Sequence, residues 1–252
     1  MIMNSGHKLV KQFNGHSGSQ VYLREWPGGG LYVEKIGNTE RNLERLNVLY
    51  EAGVPVPKVI LHAEDQLIME YIHGLDMRNY LEYNKQLKLL DFIFCILDHF
   101  SRTVTGYKDY TETYHKKLEW LPNDFLFTKE QLIDRLPKLL PQSMYHGDLT
   151  LENILYTNPG FCLIDPVTIE YDSYIFDIAK LRQDVVCKWF LRNHDTRLDV
   201  KLQVINNELQ DYYIQACSNE MLILMLLRVL KHCEKDDFNY RFLMKEIERL
   251  WK

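Results

Sequence analysis

The chain has 252 residues, 46% of them hydrophobic and 26% charged, which suffices for one large domain or two lobes around a sizeable core. Its formal charge of −5 gives no general attraction to nucleic acid or to an anionic membrane, although a local basic pocket could still take phosphates. The five cysteines form no CxxC pair and the nine histidines no HExxH or Cys/His cluster, which points to buried free thiols in a reducing compartment and away from a zinc site.

The N-terminus, MIMNSGHKLV, lacks the long apolar core of a signal peptide. The most apolar later run, MLILMLLRVL at 221–230, is too short to span a bilayer and holds Arg228, so it reads as a buried helix. The expectation is a cytoplasmic protein.

In chain order, the first 70 residues are β-rich. SQVYLREW alternates, PGGG makes a glycine turn at Pro27–Gly30, and LYVEKI follows, which is the pattern of a hairpin. TERNLERLNVLYEAG then places Leu43, Leu46, Leu49 and Tyr50 at helical spacing, with Gly53 as a stop. KVILHA and QLIMEY are two further short strands around Glu64-Asp65. After Gly74 the pattern turns helical, notably in LLDFIFCILDHF, and residues 107–143 are mixed and polar. NILYT and FCLID form a second hairpin around Asn158-Pro159-Gly160, and everything from about residue 174 is helical. The sum is an α+β chain: a small antiparallel-sheet lobe with one helix at 1–70, then a larger, mostly helical lobe at 71–252 holding one loop-and-hairpin island.

That island carries the chemistry. In YHGDLTLENIL, Asp148 precedes Asn153 by five positions, and Asp165 closes the apolar strand twelve positions beyond Asn153. Pairing NILYT with FCLID brings Asn153 and Asp165 to one end of a hairpin. A carboxylate and an amide oxygen there suit Mg²⁺, which prefers hard oxygen ligands and phosphate co-ligands. Asp148 is left to accept a proton from, or to orient, an incoming hydroxyl, and that division of labour is what phosphoryl transfer requires.

HGDLTLENIL and CLIDP resemble the catalytic loop and metal-binding segment of the protein-kinase-like fold. Gly147 replaces the arginine of the protein kinases and Pro166 the phenylalanine; the HGD form resembles the aminoglycoside phosphotransferase and choline kinase branch. The resemblance implies a bilobal protein-kinase-like fold, ATP (or GTP) and Mg²⁺ as cofactors, Asp148 as the catalytic carboxylate, and Asn153 and Asp165 as metal ligands. It further implies that Ser17, Gly18 and Ser19, in NGHSGSQVY, cover the phosphates. Lys35 resembles the lysine that pairs the α- and β-phosphates, with Glu44 or else Glu40 on the following helix as its partner. LIMEYIHG resembles the inter-lobe linker, whose backbone around Glu70 to Ile72 would hold the adenine. YIFDIAKL resembles the helix start whose aspartate, here Asp177, braces the catalytic loop.

Asp177 follows Asp165 after only twelve positions and no APE occurs, so the activation segment of a protein kinase is missing. The expectation is a kinase for a small hydroxylated molecule, a sugar or similar metabolite first, an aminoglycoside-type antibiotic second, and a protein Ser/Thr acceptor last. A cationic acceptor would call on acids and aromatics of the helical lobe, such as Glu170, Tyr171, Asp172, Tyr174, Asp184 and Trp189.

Overall fold

A computed structural model describes residues 7–13 and 19–252. By internal contacts the chain falls into two compact units: residues 1–76 with 153–168, and residues 77–152 with 169–252. The boundary expected near residue 70 is therefore joined by two later crossings, because the second hairpin groups with the N-terminal unit rather than with the helices that flank it in sequence.

The first unit is built on a five-stranded antiparallel sheet of β1 (Lys8–Phe13), β2 (Gln20–Glu25), β3 (Leu31–Ile36), β4 (Val59–Ala63) and β5 (Gln66–Glu70), in the order β1-β2-β3-β5-β4. The β2–β3 turn is closed by Gly29 N–H donating to Trp26 O and Trp26 N–H to Gly30 O, with Gly29 and Gly30 at φ +86° and +89°, values that favour glycine. Helix α1 (Glu40–Glu51) buries Asn42, Arg45, Leu46 and Leu49, one face at helical spacing. It ends where Gly53 takes φ +77° and Val54 N–H bonds back to Leu49 O.

The second hairpin, β9 (Ile154–Thr157) with β10 (Gly160–Leu163), pairs Ile154 with Leu163 and Thr157 with Gly160. The two-residue strand β6 (Leu75–Asp76) adds to its edge, and Leu163 N–H donates to Pro55 O at 2.8 Å. The chain before β6 runs so close that a Cβ on Gly74 would stand 2.8 Å from Tyr156 O, which only glycine allows.

The second unit is helical: α2 (Met77–Tyr83), α3 (Leu87–Ser101), α4 (Thr111–Lys117), α5 (Lys129–Arg135), α6 (Tyr174–Cys187), α7 (Asp199–Tyr212), α8 (Asn219–Leu230) and α9 (Phe238–Trp251). A small ladder, β7 (Gly106–Asp109) with β8 (Leu139–Gln142), closes the polar excursion between them. Helix α8, apolar on every side, is buried from Met221 to Leu227, as its sequence requires. Helix α6 is buried almost throughout and starts at Ser173, whose Oγ accepts from Ile175 N–H. Among the described residues no helix is long and apolar enough to cross a membrane. All five cysteines are free; Cys162 and Cys187 are buried as expected, Cys217 and Cys233 are half-buried, and Cys95 is exposed.

Candidate active site

In the first unit the site begins with β3. Lys35 lies at its end, opposite Leu67 of β5, and its side chain is only 5% exposed. Its ammonium reaches Asp165 Oδ1 at 2.6 Å. Asp165 follows β10 with φ +54° and a side chain 52% exposed, so the strand ends in a turn that lifts the carboxylate out of the sheet. Asn42 of α1 holds the same turn, its Nδ2 donating to Pro166 O at 2.7 Å and to Asp165 Oδ1 at 3.2 Å. Asn153 sits at the facing end of the hairpin, where its carbonyl accepts from Ile164 N–H at 2.9 Å.

The helix residue at this site differs from expectation. Glu44 and Glu40 are both exposed, and the carboxylate that Lys35 meets is Asp165. Position 42, not 44 or 40, lies on the buried face of α1, and it carries an amide. Ser19, half-buried, lies against Gly37, while Ser17 and Gly18 lie outside the described residues. In the segment expected to serve as linker, Glu70 ends β5 and its N–H is already taken by Lys58 O at 2.9 Å. Ile72 makes no backbone hydrogen bond among the described residues, which leaves its amide and carbonyl available to a ligand.

The residues present fit a hard cation. Asp165 Oδ1 is engaged by Lys35 and Asn42, whereas Oδ2 has no hydrogen-bond partner among the described residues and stands on an exposed side chain. Mg²⁺ is commonly held by one or two such protein oxygens together with phosphates.

In the second unit the site is the loop after Tyr145. Gly147 is buried at φ +92°, a conformation that favours glycine, and its N–H and that of His146 before it point the same way. Both are received by Asp177 of α6: His146 N–H at 2.5 Å and Gly147 N–H at 2.8 Å. Arg228 of α8 donates to Gly147 O at 3.0 Å from the other side. His146 is fully buried, and its Nδ1 accepts from Asp148 N–H at 3.3 Å, a structural use of the ring.

Asp148 is one-third exposed at its side chain, and its Oδ1 lies 3.1 Å from the ammonium of Lys180. Burial works to raise its carboxyl, but Lys180 and then Arg228 outweigh that and hold it below the usual carboxylate range, so it is ionised at neutral pH. Its two acidic neighbours on α6 behave oppositely. Burial lifts Asp177 to about 7, and burial, with Glu152 adding repulsion, lifts Asp184 to about 8. The chain passes from this loop into the first unit between Glu152 and Asn153.

Several acids and aromatics that a cationic ligand might have used are occupied. Asp172 receives Lys108 at 2.7 Å, Tyr110 OH at 3.0 Å and Gln142; Glu170 is paired with Lys116 and Lys117. Tyr171 is buried against Phe176, Asp184 receives Leu151 N–H, and Trp189 lies under Arg192.

The sequence reading missed Asn42, Lys180 and Arg228. Lys180 left a trace: charges at 177, 180 and 184 share one side of a helix that, Arg182 and Gln183 apart, is mostly apolar, a setting that favours protein partners over solvent.

Residues 10–203 match the model of the phosphotransferase enzyme family. A curated relative, acyl-CoA dehydrogenase family member 11 of Rattus norvegicus, is 27% identical over 177 residues, covering 58% of this chain. The chain spans only 22% of that relative's length, so the name describes a much longer protein. Among solved structures, the amicoumacin kinase hAmiN, in complex with AMP-PNP, Ca²⁺ and Ami, aligns over 98% of this chain and 89% of its own, with TM-score 0.60 and 17% identity. The choline kinase of Cryptosporidium parvum aligns over 99% and 89%, with TM-score 0.59 and 12% identity. At these identities the likeness is one of fold: an α+β kinase-like fold with an antiparallel sheet and a mostly helical remainder.

Proposed function

Since the chain belongs to the phosphotransferase enzyme family, we propose that it transfers the γ-phosphoryl group of ATP (or GTP) to a hydroxyl of a small molecule, a sugar or other hydroxylated metabolite. The observation that carries this is Asp148: a carboxylate kept ionised by Lys180, partly open to solvent, on a loop pinned by Asp177 and Arg228. In the transfer, the bond between the γ-phosphorus and the β-bridging oxygen breaks as the acceptor oxygen bonds to phosphorus. Asp148 orients the acceptor hydroxyl and takes its proton. Lys35 balances phosphate charge, the backbone at Ile72 meets the base, and Ser19 lies beside the phosphate-covering segment. Asn153 and Asp165 would hold Mg²⁺, which supplies charge neutralisation at the phosphates. Positioning and fixed charge do most of the work, because phosphoryl transfer asks little covalent chemistry of the protein.

The acceptor class follows from what is occupied. With Glu170, Asp172 and Asp184 committed to internal partners, an acidic cage for a cationic acceptor lacks its expected members. The amicoumacin kinase likeness keeps an antibiotic acceptor as the second reading. The test is a transfer screen with Mg²⁺–ATP over sugars, polyols, amino alcohols, choline-like amines, aminoglycosides and a mixed protein acceptor. Product on a neutral hydroxylated compound supports the reading, and transfer to polypeptide alone overturns it.

A further inference from the structure

Helix α6 offers one charged face to one loop. Positions 177, 180 and 184 are spaced so that their side chains stack along one side of the helix, and they meet the loop in order. Asp177 takes the amides of His146 and Gly147, Lys180 takes the carboxylate of Asp148, and Asp184 Oδ2 takes Leu151 N–H at 2.6 Å. The two acids hold backbone. Lys180 alone of the three holds a side chain, and that side chain belongs to the residue assigned to the acceptor.

We propose that Lys180 is a positioning residue for phosphoryl transfer, its buried ammonium fixing the orientation of the Asp148 carboxylate toward the acceptor hydroxyl. This rests on the reading of Asp148 given above. Lys180 is tethered as a positioning group should be: its side chain is only 7% exposed, and Nζ also donates to Gln183 Oε1 at 3.2 Å, one turn along the helix. Burying an ammonium is costly unless it is paired, so a lysine kept at this place is held there by its partners. Asp148 is the partner that retains its charge, since burial drives Asp177 and Asp184 toward the neutral acid. Arg228 adds positive charge near Asp148, but the hydrogen bond its guanidinium donates goes to the carbonyl of Gly147, and it lies over the Tyr171 ring.

The experiment compares Lys180→Met and Lys180→Arg with the wild-type chain. It measures turnover of Mg²⁺–ATP with water as acceptor, the KM for ATP, and the rise in melting temperature produced by Mg²⁺–AMP-PNP. A carboxylate released from its anchor predicts a fall of about 10²-fold in kcat for Lys180→Met, the cost of misplacing a reacting group by about 1 Å. The KM for ATP and the nucleotide-induced thermal shift should stay at wild-type values, and Lys180→Arg should recover most of the rate. Unchanged kcat in Lys180→Met would overturn the proposal. So would a loss of kcat matched by an equal loss of nucleotide binding, which is what a purely structural lysine gives. Should Lys180→Met fail to fold, Gln183→Leu loosens the ammonium without removing it: a smaller, equally selective loss of kcat supports the role, and none overturns it. A wild-type chain that binds no Mg²⁺–AMP-PNP and turns over no ATP brings down the phosphotransfer reading itself, and this role with it.

Discussion

Lys35 and Asp165, 130 positions apart, meet with Nζ 2.6 Å from Oδ1, although one side chain is buried and the other half in water. The asymmetry predicts how the pair responds to mutation. Lys35→Met returns Asp165 to solvent and fills the lysine's volume with apolar atoms, so the melting temperature should hold or rise. ATP turnover should fall by about 10²-fold or more, as when a preorganised charge is removed from a transfer site. Thermal denaturation beside a turnover assay checks both, and a large loss of stability would make Lys35 structural.

Asn42 and Glu44 should separate cleanly. Asn42→Leu leaves the carbonyl of Pro166 without its buried donor, at a cost of about 1–3 kcal/mol. It also frees the turn that carries Asp165, so more Mg²⁺ should be needed for half of the nucleotide-induced thermal shift. Glu44→Ala, on the exposed face of α1, should change stability by less than about 0.5 kcal/mol. Urea denaturation of the two variants side by side is the measurement.

Asp184 gives a pH signature. Its carboxyl is raised from 3.8 to about 8 by burial first and Glu152 second, so across that window the folded chain holds a proton that the unfolded chain has released. The associated stability is fully present below the lower value and is lost as pH rises toward the upper one, by at most about 1.4 kcal/mol per pH unit. Asp184→Asn keeps an acceptor for Leu151 N–H but has no proton to lose. Between about pH 5 and pH 8 the wild-type melting temperature should therefore fall more steeply than the variant's. Parallel curves would show that Asp184 is ionised throughout.

Gly147→Ala tests the loop's backbone. The φ of +92° is one that L side chains rarely adopt, and the Asp177 and Arg228 bonds on either side prevent the peptide from rotating away. A loss of about 1–3 kcal/mol in denaturant unfolding is expected, with a fall in turnover because Asp148 is the next residue.

Local patterns carried most of what was legible in the sequence. The glycine turn of β2–β3, the α1 periodicity up to Gly53, the Asn-Pro-Gly hairpin and the apolar run 221–227 of α8 each declare themselves within a dozen residues. The β7–β8 ladder did not, because its partners stand some thirty residues apart in polar sequence and only tertiary closure pairs them. The paired use of Lys35 was misread for a related reason. Helical spacing allows Glu40 and Glu44 to share a face, but the packing of α1 turned Asn42 inward instead. Lys180 was passed over because a lysine inside a helix is ordinarily a solvated one; only the burial of α6 makes it a partner for Asp148.

The central claim is that Asp148 serves the acceptor while other residues hold the nucleotide, and Asp148→Asn tests it most directly. Turnover of Mg²⁺–ATP and the Mg²⁺–AMP-PNP thermal shift should be measured on the same preparation. The account predicts turnover lower by about 10²–10⁴-fold with the thermal shift retained; turnover near the wild-type rate would contradict it.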